Sequence, residues 1–493
     1  MTTMRIKHIS TVKRLANLIL GMFLVLNFGA CKKWIEVDPP SNSITSQTVF
    51  EDVNTATSVL NSVYFKMQNQ LIFGLRLGLV ADELAPRIPD PFLGQYFTND
   101  YQMESGIPET WNDSYGTFIY NLNLVIEGVS SSKGLSQNNK RIIIAEAKFT
   151  RAFLYFYLVN LYGDIPLVLT TDFKVNSSIS RTSVETVYQQ IVDDLSEAKA
   201  NLPNSYLGTD LLTPTNDRVR PTKWAALALL ARVYLFQEDW INAEQSSTEV
   251  INNTGTFHLE ALEDVFKKTS AEAIWSLQPE FLESSDAANN TVDAKFYIPY
   301  PNSLPDFFPN NELLNQFSNV DRRKIKWFGV SIDNTVMPAV SYYYPYKYKF
   351  GNNYTSFFQD QQEHLVVLRL AEQYLIRAEA RAQLDRITGS ESAAEDLNII
   401  RIRAGLKGST AINKSDMLKA ILDERRLELF TEWGHRWLDL KRTKKVDDIM
   451  EVETPKKGGQ WAPYKALFPI PFSEFVNNPT LRGQQNPGYR ETQ

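Results

Sequence analysis

The chain has 493 residues, 43% of them hydrophobic and 22% charged, which is globular composition sufficient for one large body or two to three domains. No apolar run beyond the N-terminal region is long enough to cross a bilayer, which excludes a multi-span helical membrane protein. The formal charge is -6, and an acidic body is repelled by phosphate backbones, which argues against a nucleic-acid partner.

Residues 1–30 carry Arg5, Lys7, Lys13 and Arg14 and no acid, so their removal leaves 47 basic groups against 57 acidic ones, a balance of -10. The cations precede an apolar stretch from Leu15 to Leu26 that only Asn17 interrupts, and Gly29 and Ala30 then lead into Cys31. A charged start, a short apolar segment and a small-residue junction are the layout of a secretory signal over residues 1–30. Cys31 is the only cysteine, so no intrachain disulfide can form. The junction resembles a bacterial lipobox, with Phe28 where leucine is usual. Cys31 would then carry the acyl chains (palmitate among them) and become the new N-terminus. Two or three acyl chains anchor a protein stably. Residues 31–45 are expected to be the tether and 46–493 the body; the alternative is a plain secreted protein with a chance cysteine.

Helical periodicity dominates the body. Residues 142–161 become apolar on nearly every face from Ala152 onward, which marks a buried helix, and Gly163 and Pro166 stop it. Residues 223–237 are dense in alanine, and a second helix follows over 239–252 with Trp240, Ala243, Val250 and Ile251 facing inward. The same rhythm returns at 366–385 and 392–404, where Ser392 followed by Glu395 reads as a capping box. Paired helices with small contact residues are what tetratricopeptide (TPR) repeats use. The expected fold class is therefore mainly α, a TPR-like helix-pair scaffold with long irregular loops, its halves covering about 46–270 and 271–493. The loops are 86–108, 279–311 and 329–362, rich in Asn, Pro, Asp and aromatics. Loops of this length in a compact protein are usually functional or disordered, and their aromatic content argues against disorder.

Signatures of catalysis are weak. Glu424, Glu428 and Glu432 recur every four residues, and Glu432 with His435 spells the Glu-x-x-His of di-iron bundles, which need two such motifs. Arg425, Arg426 and Arg436 lie beside these acids, so paired charges on one helix are the expectation. No two glycines are separated by a single residue, which removes the dinucleotide fingerprint, and no His-Glu-x-x-His or Gly-x-Ser-x-Gly occurs. No catalytic residue, metal ligand or cofactor is assigned. A glycosidase needs only two carboxylates, so its class stays open.

Several segments together resemble one family. Residues 31–40 (CKKWIEVDPP), 111–123 (WNDSYGTFIYNLN), 146–152 (EAKFTRA) and 161–166 (LYGDIP) are similar, in order, to SusD/RagB proteins. So are 272–276 (EAIWS), 369–380 (RLAEQYLIRAEA), 398–405 (NIIRIRAG), 424–429 (ERRLEL), 435–442 (HRWLDLKR), 468–471 (FPIP) and 485–489 (QNPGY). The resemblance implies a non-enzymatic lipoprotein of the outer leaflet of the outer membrane. It would cap a SusC-like TonB-dependent β-barrel and capture oligosaccharide or peptide for import. Two further readings are a lipid-anchored glycoside-active enzyme and a TPR-type adaptor for other proteins. Trp111, Trp275 and Trp437 read as core.

No motif of the family carries binding residues across, so those are argued from chemistry. A sugar presents an apolar C–H face that packs on a flat ring, while its hydroxyls need Asn, Asp, Gln or backbone partners. Residues 95–101 (QYFTNDY) and 296–302 (FYIPYPN) offer that mixture, so ligand is expected where the first two loops meet, on Tyr96, Tyr101, Tyr297 or Tyr300. The competing expectation is that these rings pin the loops to the scaffold. Tyr342 to Tyr348 reads as a packed extended segment instead.

Overall fold

Small residues set the helix stack. In the computed structural model, which describes residues 48–103, 107–279, 290–351 and 361–491, the Lys223–Phe236 helix pairs with Trp240–Ile251, and Leu370–Gln383 pairs with Ala393–Arg403. Ala231, Ala243 and Ala380 are fully buried with Ile376 between the two pairs, and Ala371, Ala378, Ala382 and Ala393 sit with Leu375, Leu397, Met417 and Ile421 in a second cluster. Side chains this short allow helix axes to approach at the close end of the usual ~8–10 Å. The two pairs thus stack directly, although residues 252–369 separate them in sequence.

Caps bound these helices. Asp239 accepts from the amide of Asn242, and Ser392 accepts from the amide of Glu395 at 3.3 Å. Glu395 reaches back to the amide of Glu391 at 2.7 Å, one residue earlier than a capping box places it. The longest helix, Gln137–Tyr162, is capped by Ser136 and ends at Gly163, whose φ of 74° suits a residue without Cβ. It packs against Tyr120–Ser131 and Val184–Asn201, with every residue from Ala152 to Val159 buried. Trp111, Trp275 and Trp437 are buried as well. The protein is mainly α.

The described residues from Phe50 onward form one compact unit. Cys31 and the boundaries expected at 30 and 45 lie outside the described residues. Among the described residues no helix is long and apolar enough to cross a membrane. The strands form two-stranded antiparallel ladders: Leu84–Pro86 with Phe307–Pro309, Ile165–Pro166 with Arg181–Thr182, Ala273–Leu277 with Leu365–Arg369, and Phe328–Asp333 with Val340–Pro345.

Two expectations need correction. The helix placed from residue 366 begins at Leu370, because Leu365–Arg369 is a strand buried on both faces. Its β-branched Val366 and Val367 suit a pleated surface enclosed on both sides. Glu432 is not on the helix of Glu424 and Glu428, which spans Lys414–Leu429 and stops at Phe430, where ψ is 144°. Thr431, Trp433 and Gly434 then take positive φ before His435–Arg442 starts. Orphan carbonyls at that helix end find cations: Lys347 Nζ donates to Glu428 O at 2.8 Å and Phe430 O at 2.9 Å, and Arg369 donates to Glu428 O at 2.9 Å.

The carboxylates of this region are consumed by structure. Arg369 contacts Glu272 at 2.8 Å, Glu428 at 2.8 Å and Glu432 at 2.7 Å, while Arg323 contacts Glu424 at 2.7 Å and Glu428 at 3.0 Å. Burial alone would raise the Glu428 carboxyl, but Arg403, Arg369 and Arg323 outweigh it and hold it far below the usual range. Burial, reinforced by Arg232, Arg425 and Arg369, keeps His435 neutral. Among the described residues no group of His, Cys, Asp and Glu is placed to hold a metal ion. Similar buried pairs stitch the helices: Arg151 to Asp194 at 2.8 Å, Arg220 to Glu146 at 2.7 Å and Arg232 to Glu372 at 2.7 Å.

Candidate ligand-binding site

The first two irregular loops meet along a ladder. Leu84, Ala85 and Pro86 pair with Pro309, Phe308 and Phe307, and the pairing runs on as the Arg87 amide donates to Asp306 O at 2.7 Å. The Arg87 guanidinium donates to Pro305 O at 2.9 Å and meets Asp306 at 3.1 Å. On the second loop, Thr291 caps the short helix Val292–Tyr297 through the amide of Ala294. The chain then turns at Tyr300-Pro301-Asn302-Ser303, closed by the Ser303 amide donating to Tyr300 O at 3.0 Å. Proline at the second position and Asn302 with φ of 64° at the third are the residues a type II turn asks for.

That turn lifts the Tyr300 ring into solvent, where it is 61% exposed. Beside it opens a cavity of about 330 Å³ lined by Arg87, Lys295, Phe296, Tyr300, Ser303 and Asp306, among others. A ring face, a hydroxyl, a guanidinium and a carboxylate thus converge on one hollow, with Phe296 braced edge-on against Phe307 at 6.3 Å.

The other three tyrosines point inward. Tyr96 (1% exposed) lies on the short helix Gly94–Thr98 and packs edge-on against Phe468 at 5.9 Å. Tyr101 (7% exposed) packs on the same ring at 4.9 Å, and its hydroxyl accepts from Asn99 Nδ2 at 3.1 Å. Tyr297 (3% exposed) closes the Val292–Tyr297 helix. Burial, then the nearby Asp293 and Glu83, push its hydroxyl well above the usual phenol range. Edge-to-face packing on Phe468 gives Tyr96 and Tyr101 more than a lone exposed face would, and Tyr297 is held by its burial, so the three pin the loops to the scaffold. Of the four tyrosines expected as stacking platforms, Tyr300 alone presents a ring.

Burial raises the carboxyls of Glu83 and Asp293 to about 7 each, helped by Asp82 beside the first and Glu432 beside the second. These acids lie beneath the loop junction and do not line its cavity. Arg87, Lys295 and Asp306 do line it and went unassigned from sequence. Arg87 and Asp306 are 219 residues apart, so no local pattern announces their pairing. The third tyrosine cluster is extended as expected but packed only at its end: Val340 and Tyr343 on the Val340–Pro345 strand are exposed, whereas Lys347 and Tyr348 beyond it are buried.

Comparisons with known proteins agree with this architecture. A model of the SusD family matches residues 316–489, and a model described as starch-binding, associating with outer membrane, matches residues 33–235. A SusD-like protein of Formosa agariphila is 26% identical over 97% of this chain and 100% of its own length, and another from that organism is 28% identical over 72% of this chain and 75% of its own. A SusD superfamily structure from Parabacteroides distasonis shares the fold with a TM-score of 0.72 at 23% identity, covering 91% of this chain and 100% of that one. A structure described as a laminarin-binding SusD-like protein superposes with a TM-score of 0.71 at 24% identity, over 89% of this chain and 99% of its own. With both parts of the body matched and the helix stack in place, the chain belongs to the SusD/RagB family.

Proposed function

We propose that the protein is a non-catalytic surface receptor that captures glycan fragments at the Tyr300 cavity. It is anchored to the outer membrane through Cys31, faces outward, and passes its ligand to a SusC-like TonB-dependent β-barrel. The observation that carries this reading is the exposed Tyr300 ring beside a cavity with donors and acceptors, the combination that a sugar's apolar face and hydroxyl rim require. A laminarin-binding structural relative and a family model described as starch-binding, associating with outer membrane, support it. Against hydrolysis stands the cavity's acid content. Asp306 is the one carboxylate among its lining residues and is tied to Arg87, whereas glycosidases flank the bond with two carboxyl groups.

Incubation of the purified protein with laminarin and starch fragments tests the reading. Retention of the oligosaccharides at unchanged chain length is expected, and newly formed reducing ends would favour the glycoside-active enzyme instead. Binding to a barrel with no affinity for any fragment would favour the adaptor. For the anchor, Cys31→Ser is expected to release the protein from the outer-membrane fraction of cells lacking the barrel; continued co-fractionation there would contradict it.

A further inference from the structure

A second cavity, of about 400 Å³, shares no lining residue with the first. It opens among the Asp113–Ile119 segment, the Ile165–Pro166 strand, the Phe173–Asn176 helix and the Phe472–Asn477 helix. Residues 113–119 are a π-helical stretch between the helices Ile107–Asn112 and Tyr120–Ser131, a widened turn that is uncommon and frequent at functional sites. Three rings frame the opening. Tyr115 is fixed by its hydroxyl donating to Pro166 O at 2.7 Å, while Tyr120 and Phe173 are 46% and 78% exposed. An aromatic as open as Phe173 contributes nothing to the core beneath it. At Gly116 a Cβ would meet no atom within 4 Å, so the wall there is empty space.

The polar groups complete a recognisable chemistry. Asn176 Nδ2 donates to Thr170 O at 2.8 Å, which fixes the amide, and its Oδ1 is buried without a hydrogen-bond partner. An orphan acceptor of this kind is costly unless something donates to it. No lysine or arginine lines the cavity, so it is unsuited to an anion. Burial raises the Glu474 carboxyl above the ordinary carboxylate range, in keeping with a weakly charged, partly dry wall. We propose that this cavity is a second saccharide subsite, in which a neutral pyranose stacks on Phe173 or Tyr120 and donates a hydroxyl hydrogen to Asn176 Oδ1. The proposal rests on the glycan-binding reading above and adds a second point of attachment for the chain of sugars.

Titration of the full-length mature protein with laminarin and starch oligosaccharides tests it in four forms: wild type, Phe173→Ala, Gly116→Trp and Tyr300→Ala. Phe173→Ala is expected to weaken binding roughly three- to tenfold, the value of one stacked ring, with melting temperature unchanged. Gly116→Trp should fill the hollow and remove one binding event, and Tyr300→Ala should leave that event in place. If Gly116→Trp lowers the melting temperature, the double variant Tyr120→Ala/Phe173→Ala decides in its place, and wild-type affinity in it would overturn the second subsite. Wild-type affinity in both Phe173→Ala and Gly116→Trp, with binding lost in Tyr300→Ala, would overturn the second subsite and leave the first standing. Binding lost in Phe173→Ala but kept in Tyr300→Ala would do the reverse. No binding by wild type would overturn both.

Discussion

In the helix stack, Arg232 meets Glu372 with two contacts of 2.7 Å, and both side chains are sealed from water. At the loop junction, Arg87 meets Asp306 at 3.1 Å, with Asp306 open to solvent and the Arg87 side chain partly so. The tyrosines divide the same way, with Tyr155, Tyr157 and Tyr162 inside the long helix's packing and Tyr300 held outward on a turn. The same residue types therefore serve two ends, and hydration decides which. A desolvated pair commits both partners to the fold, because removing one strands a buried charge. A hydrated pair contributes little to stability and remains available to a ligand.

Arg369→Ala should break the contrast most severely. It leaves Glu272, Glu428 and Glu432 without their shared guanidinium, at a cost of about 3–5 kcal/mol or more. Arg87→Ala should cost about 0–1 kcal/mol. Chemical denaturation of the two variants measures both, and equal losses would erase the distinction. Next come the inward tyrosines: Tyr96→Ala and Tyr297→Ala should each cost about 3–5 kcal/mol, as lost core aromatics do.

A pH series sharpens the comparison from the buried side. Burial, then Glu432, raise the Asp293 carboxyl to about 7, above its unfolded value near 4. The folded state therefore keeps this proton where the unfolded state has lost it. The stabilisation is complete below the unfolded value and disappears as pH rises through about 7. Asp293→Asn should flatten that fall, gaining at least about 1 kcal/mol relative to wild type between pH 5 and pH 8, since each pKa unit is worth about 1.4 kcal/mol. Parallel melting curves for the two proteins would show instead that Asp293 is ionised throughout.

The helix pairs were legible because their signals are local: alanine at contact positions, a cap at Ser392, glycine at 163. The loops were legible as composition, and their meeting place as chemistry. Which tyrosine faces outward was not, because that depends on partners distant in the chain. Phe468 receives both Tyr96 and Tyr101, and Arg87 aligns with Asp306 across the junction. Tyr300 differs from Tyr297 by one turn, and the Pro301-Asn302 pair that makes the turn lies within residues 296–302. The strand at Leu365–Arg369 carries no boundary signal of its own, because its apolar run continues without a break into a helix. Glu432 kept the helical interval after the helix had ended, drawn aside by Arg369 and Lys347.

The smallest expected change in stability belongs to the most informative residue. Tyr300→Ala removes an exposed ring, so the melting temperature should stay within the range of about ±0.5 kcal/mol typical of surface substitutions. Affinity for the captured oligosaccharide should fall about threefold to tenfold, the worth of a stacked ring. Measuring melting temperature and oligosaccharide affinity together on wild type and Tyr300→Ala tests the central claim most directly. Weaker binding at an unchanged melting temperature is the predicted result, and unchanged affinity would contradict capture at the loop junction.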